Sequence, residues 1–136
     1  MLHLLNMAAR VALPTNGKDL RNFYVGSVGI RRDNVIVSAR NLACVPNAHG
    51  GEFKSTPDAH SEVRLIKNKL GKHSEIMAVC RIRRLDGKMA MARPCPSCTN
   101  YIRSARVKKV VYSINEHYYG VWDIEQDYDR VIQFRK

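Results

Sequence analysis

The stretch that decides the fold has two halves, DAHSEVRL (residues 58–65) and ARPCPSC (residues 92–98). The first half carries His60 and Glu62. The second carries Cys95 and Cys98 behind Pro94. Asp58 is suited to cap a helix running to about Leu70, with Gly71 as its C′ residue. Cys95–Arg106 reads as another helix, opened by the proline-flanked cysteine clip. Between them Glu75–Leu85 reads as a strand, because Ile76, Ala78, Cys80 and Ile82 alternate with Met77, Val79, Arg81 and Arg83. Each half therefore opens a helix, and a strand lies between.

One imidazole, one carboxylate and two thiols are enough to bind a metal and move protons beside it. Zinc takes four N, S or O ligands, and its catalytic sites keep one position for water. His60, Cys95 and Cys98 supply three ligands. Cysteines three residues apart at a helix start lie on nearly the same face, and the positive helix end favours ionised sulfur. Two thiolates balance the charge of Zn2+ and leave a nearly neutral site that still acidifies water. Glu62 is not expected to bind the metal. Residues two apart on a helix point ~200° apart, so His60 and Glu62 converge only at a first turn. Glu62 is then available to accept and return a proton. Taken singly, each piece has a plainer reading: a redox pair, a capping histidine, a solvated glutamate. Together, at two helix starts, they favour a catalytic metal site. A structural site needs a fourth protein ligand, which His49 or Cys44 could supply.

The remaining sequence sets the bounds. With 136 residues and 45% hydrophobic content, the chain reads as one domain spanning residues 1–136, with a real core. No apolar run approaches the ~20 residues needed to span a bilayer, so no membrane partner is expected. Residues 1–13 are broken by His3, Asn6 and Arg10 and read as a helix, not a signal peptide. Cys44 and Cys80 sit in apolar surroundings typical of buried thiols, which favours a reducing, cytoplasmic location. The formal charge of +11 favours polyanions, either nucleic acid or a phosphorylated substrate.

Outward from the two halves, Leu2–Ala12 reads as a helix ended by Pro14 and Gly17. Asn22–Arg31 and Asn34–Ala39 read as strands joined by a two-residue turn at Arg32-Asp33. Residues 41–57 read as a loop. Val107–Ile114 and Tyr118–Ile124 read as strands, too close for a parallel crossover and so expected to be antiparallel. The order α-β-β-α-β-α-β-β predicts a mixed five-stranded sheet with helices on both faces, an α/β/α sandwich.

The pattern His60-x-Glu62 followed by Pro94-Cys95-x-x-Cys98 is the signature of zinc deaminases acting on nucleobases. With it, the chain resembles the cytidine/deoxycytidylate deaminase superfamily over nearly its whole length. Phe23-Tyr24-Val25-Gly26-Ser27 is similar to the family's first strand, Phe-x-Val-Gly-Ala, and 34–41 is similar to a second strand ending in a substrate-binding asparagine. Residues 107–113 are similar to the strand after the cysteine helix. The resemblance implies zinc held by His60, Cys95 and Cys98, with Glu62 moving the protons. It also implies Phe23 beside the base, Asn41 on the substrate, and Ala59, Ser61 and Pro94 around the pyrimidine.

The pattern departs from the family in several places. Leu42-Ala43 replaces the sugar-binding acid of nucleoside deaminases, and Thr99-Asn100 replaces the Arg-Gln after the second cysteine. Ser61 stands where Ala is usual, and Arg64 stands where many members have Asn. The antiparallel final strands resemble the free-nucleoside branch. The histidine ligand, Ala43, Arg64 and the positive charge point to a phosphate on the substrate.

Three functions follow. The first is deamination of cytosine to uracil and ammonia in a free nucleoside or nucleotide, by an enzyme that assembles as a homo-oligomer. The second is deamination of cytosine in single-stranded DNA or RNA, with Tyr101, Tyr112, Tyr118, Tyr119 and Trp122 available for stacking. The third is a zinc-stabilised binding module without catalysis.

Overall fold

In the computed structural model, α1 (Leu2–Ala12) presents Leu4, Leu5, Ala8 and Ala12 as a buried stripe, the helical spacing its sequence carries. The structure describes residues 2–13, 23–41 and 60–134. Pro14, Gly17, the loop after Asn41, Asp58 and Ala59 lie outside the described residues, as do Cys44 and His49.

Strands β1 (Phe23–Ile30) and β2 (Ile36–Arg40) pair antiparallel, with Ile30 opposite Ile36. The expected two-residue turn is corrected to a longer connection. The Arg31 N–H donates to Val35 O at 2.8 Å, and the Asn34 N–H donates to Arg31 O at 2.8 Å. Asn34 adopts φ 69°, a left-handed conformation that asparagine tolerates. Asp33 is held by Arg31, with bonds of 2.8 and 2.6 Å.

Helix α2 (Ser61–Leu65) starts later than expected, with His60 at the N-cap. It continues as a π-helical turn, Ile66–Leu70, and stops at Gly71 with φ 71°. Strand β3 (Ile76–Arg83) follows, then a turn at 84–86 and a short β4 (Met89–Ala90). Helix α3 (Pro96–Ser104) has Cys95 as N-cap and proline in its first turn, where the missing N–H costs nothing. The chain ends in the antiparallel meander β5 (Lys109–Ser113), β6 (Tyr118–Asp123) and β7 (Tyr128–Gln133).

The sheet runs β2-β1-β3-β5-β6-β7, with β4 paired to β3. The only parallel pair among the described strands is β3–β5, and α3 makes that crossover. The expected α/β/α class holds, but among the described residues the sheet has seven strands, not five. β4 is two residues long and too short to show alternation. β7 is an edge strand whose side chains are mostly exposed, so its sequence carries no apolar period.

Alternation along β3 divides the core as expected. Ala78, Cys80 and Ile82 face α1, packed with Tyr24, Val28, Val111 and Val121. Met77 and Val79 face the other layer, packed with Leu65, Leu70, Ile102, Val110 and Trp122. Buried Ser113 ties the strand ends together. Its hydroxyl donates to Ala90 O at 2.7 Å and accepts from the Arg81 N–H at 3.0 Å, while its carbonyl accepts from the Ala92 N–H at 2.8 Å. This fixes residues 90–92, the approach to Cys95.

Helix α1 lies directly on Gly26. A Cβ there would sit 2.3 Å from the Ala8 carbonyl oxygen and 2.5 Å from the Ala12 nitrogen. Gly26→Ala therefore forces two backbones apart and is expected to cost about 1–3 kcal/mol, read as a lower urea midpoint. An unchanged midpoint would mean that α1 does not seat on β1.

Candidate metal centre

Two helix starts meet over the β3 face that carries Met77 and Val79. His60 is the N-cap of α2 and Cys95 the N-cap of α3, with Cys98 buried one turn further on. His60 Nδ1 lies 3.0 Å from Cys98 Sγ and 3.7 Å from Cys95 Sγ. The three ligand atoms all lie within 4.8 Å of one another. A tetrahedral zinc with bonds of ~2.3 Å to sulfur and ~2.0–2.1 Å to nitrogen places its N and S ligands about 3.6 Å apart, so the donor set fits.

Glu62, the second residue of α2, is 6% exposed. The Cys98 thiol is pushed well above its usual range, chiefly by burial and then by negative Glu62 and Cys95 nearby. A divalent cation relieves that crowding. The Glu62 carboxylate is thus a close neighbour of Cys98, without belonging to the three-ligand group. Both helices point their N-terminal ends at the centre.

The other sequence-singled residues divide. The Ser61 hydroxyl is buried, 2.6 Å from Ser27 Oγ and 2.8 Å from Glu62 Oε1. Pro94 is buried, and its carbonyl accepts from Thr99 Oγ1 at 3.5 Å. Asn41 Oδ1 accepts from the Val25 N–H at 3.0 Å, so part of this side chain is engaged with β1. Phe23 carries the Arg81 guanidinium over its ring at 3.8 Å. Arg64 Nη1 donates to the Arg40 carbonyl, which commits this arginine to β2.

Sequence reasoning missed Ser27 and Arg81. Ser27 stood where the resembling strand has alanine. Arg81 reads as one of the alternating residues of β3, and that alternation places it on the face of Met77 and Val79.

Residues 2–114 match the family described as the cytidine and deoxycytidylate deaminase zinc-binding region, and the chain belongs to that family. Among solved structures, cytidine deaminase from Mycobacterium leprae is similar at 20% identity and a TM-score of 0.53, covering 91% of this chain and 92% of that one. Cytidine deaminase from Mycobacterium tuberculosis is similar at 17% identity and a TM-score of 0.48, covering 85% of this chain and 89% of that one. At such identity the likeness to Mycobacterium leprae cytidine deaminase shows the α/β/α fold. No curated protein matches the chain. Among the described residues, no helix is long and apolar enough to cross a membrane.

Metal analysis of the purified protein is expected to give about one zinc per chain, with His60→Ala and Cys98→Ala each losing most of it. Retention of zinc by both variants would place the metal elsewhere. The Cys80 thiol, fully buried, is pushed up to about 11 by that burial, with Ser113 pulling weakly the other way. Alkylation of the folded protein at pH 8 is therefore expected to leave Cys80 unmodified, while unfolding in urea exposes it. Peptide mapping reads the difference.

Proposed function

We propose that the chain is a zinc-dependent hydrolase that converts the cytosine base of a free (deoxy)cytidine nucleoside or nucleotide to uracil, releasing ammonia. The observation that carries this reading is the three-ligand group His60–Cys95–Cys98 with the buried Glu62 carboxylate beside it. Three ligands converge among the described residues, the number that leaves a zinc site open to substrate water. Zinc supplies Lewis acidity that makes water a nucleophile near neutral pH.

The chain's own residues do the rest. Glu62 accepts the proton that water gives up as it attacks C4, and returns it to the ring nitrogen. A second transfer through the same carboxylate carries the remaining water proton to the departing amine. One water is consumed and one ammonia leaves. Burial of Glu62 keeps bulk water from competing for these protons. In this reading the base lies against the Phe23 ring face opposite Arg81, with Asn41 and Pro94 bordering it. A homo-oligomer in the cytoplasm accompanies this reading, by analogy with small members of the superfamily.

Burial of three of the five candidate stacking residues favours a small substrate over a polynucleotide, with Tyr118 left exposed at 40%. Tyr112, Tyr119 and Trp122 are core residues and offer no stacking platform. Tyr101 is covered by Lys67, 5.0 Å from its ring centroid. A phosphorylated substrate is supported by Arg81. Its side chain lies on the sheet face that carries the candidate metal centre, with Cζ 3.8 Å from the Phe23 ring centroid, and its Nε is buried with no hydrogen-bond partner among the described residues. A guanidinium in that state suits a phosphate. Arg64, the arginine favoured from sequence, is engaged with Arg40.

Glu62→Ala is expected to lower kcat/KM for cytosine deamination by ~10²–10⁴-fold while zinc content stays the same. Full activity of that variant on cytidine, deoxycytidine and their monophosphates would sink the mechanism. Arg81→Gln is expected to raise KM for the monophosphates and leave the nucleosides unaffected. Equal losses on both would remove Arg81 from phosphate recognition.

A further inference from the structure

Ser27, Ser61 and Glu62 form a buried hydrogen-bonded line from strand β1 to the candidate metal centre. Ser27 and Ser61 are both fully buried, and Glu62 nearly so. Ser61 Oγ donates to Glu62 Oε1 at 2.8 Å. A hydroxyl has one proton to give. The proton of Ser61 is already committed, so the 2.6 Å contact between the two hydroxyls runs from Ser27 to Ser61. Direction is therefore set along the whole line, from Ser27 to Ser61 to Glu62.

The geometry is not a by-product of the helix. Consecutive residues on a helix point about 100° apart and do not face each other. Ser61 and Glu62 meet because they are the first two residues of α2, and because Ser27 holds the Ser61 hydroxyl from below. Ser27 belongs to β1, whose neighbours β2 and β3 pair with it on both sides. The carboxylate is thus referenced to the sheet and not only to the end of a short helix. The two serines occupy the two places where the family resemblance calls for alanine, and they contact each other.

We propose that Ser27 and Ser61 act as a pair of positioning residues that hold the Glu62 carboxylate by Oε1 and leave Oε2 for proton transfer. This rests on the reading of Glu62 as the proton-moving group. Both hydroxyls are engaged within the line. Ser61 acts through Glu62, and Ser27 acts through Ser61. The arrangement specifies a hierarchy: removing Ser61 frees the carboxylate, while removing Ser27 only loosens the hydroxyl that holds it.

The test uses full-length zinc-loaded Ser61→Ala, Ser27→Ala and the double variant, with Glu62→Ala as reference. Ser61→Ala is expected to lower kcat about 10–100-fold, the usual loss when a partner behind a metal site is removed, with KM and zinc content unchanged. Ser27→Ala is expected to lose less, and the double variant to lose no more than Ser61→Ala alone, because the two act in series. The carboxyl carbon resonance of Glu62, assigned by its absence in Glu62→Ala, is expected to move in both single variants. Wild-type kcat in Ser61→Ala, or a Glu62 signal unmoved by Ser27→Ala, would overturn the positioning role. Inactivity of the wild-type protein on every cytosine substrate would instead overturn the deaminase reading, and the Glu62 signal would still report whether the serines hold the carboxylate.

Discussion

Strand β3 is hydrogen-bonded along both edges and covered on both faces, and the metal-centre residues meet because they are tethered to its two ends. Its start receives the chain from α2, so the first residue of that helix lies back towards the strand's far end. Its end passes through β4 and residues 91–94 directly into Cys95. The parallel partner β5 then requires α3 to cross the same face. His60 and the cysteine pair are far apart in sequence, yet one central strand brings them to one place. Burial of Met77, Ala78, Val79 and Cys80 makes the strand's register expensive to change, since a one-residue slip would exchange the α1 face for the α2–α3 face.

Much of this was legible because it rests on short-range patterns. The alternation in β3, the apolar stripe of α1 and the proline at the start of α3 each impose their own local structure. The juxtaposition of His60, Cys95 and Cys98 followed from two helix starts separated by one strand. What escaped notice depended on tertiary neighbours. β7 has no apolar period because it is an edge strand. Arg64 carried the right charge near the right place, but its reach to the Arg40 carbonyl is a property of how α2 sits on β2. Arg81 reads as ordinary strand alternation, and the Phe23 ring beneath it is a tertiary neighbour that alternation does not reveal. Ser27 differed from the resembling strand by a single oxygen, and the partner of that oxygen lies 34 positions away.

Part of the basic surface is organised locally. Arg31 pairs with Asp33, Arg83 with Asp86, Lys108 with Glu75, Arg93 with Asp129 and Arg103 with Asp127. These pairs are largely exposed, and exposed pairs contribute little stability. Arg93 and Arg103 also cover the ring of buried Trp122, at 4.5 and 5.4 Å, while its indole N–H donates to Asp127 at 3.0 Å. Asp129 accepts from Arg93 and from the Tyr112 hydroxyl, the latter at 2.7 Å. Partial burial pulls its carboxyl up, but these bonds outweigh it and hold the group below the usual carboxylate range. Pinned in this way, part of the basic surface seals the edge of the core.

The π-helical turn at the end of α2 has a consequence for how this helix tolerates change. Leu65 and Leu70 are both inside the core, at 0% and 1% exposure. On a regular α-helix, positions five apart lie roughly 140° off one another, so one of the two would leave the sheet. Bonding five residues back makes the step close to one full turn and returns Leu70 to the face of Leu65. The extra residue is absorbed after Leu65, where Lys67, Asn68 and Lys69 bulge towards solvent. The first turn, with Ser61 and Glu62, is therefore phased independently of the last. An insertion or deletion beyond Leu65 would turn Leu70 by about 100° off the core face, so the strain falls on that end of the helix while the carboxylate keeps its neighbours.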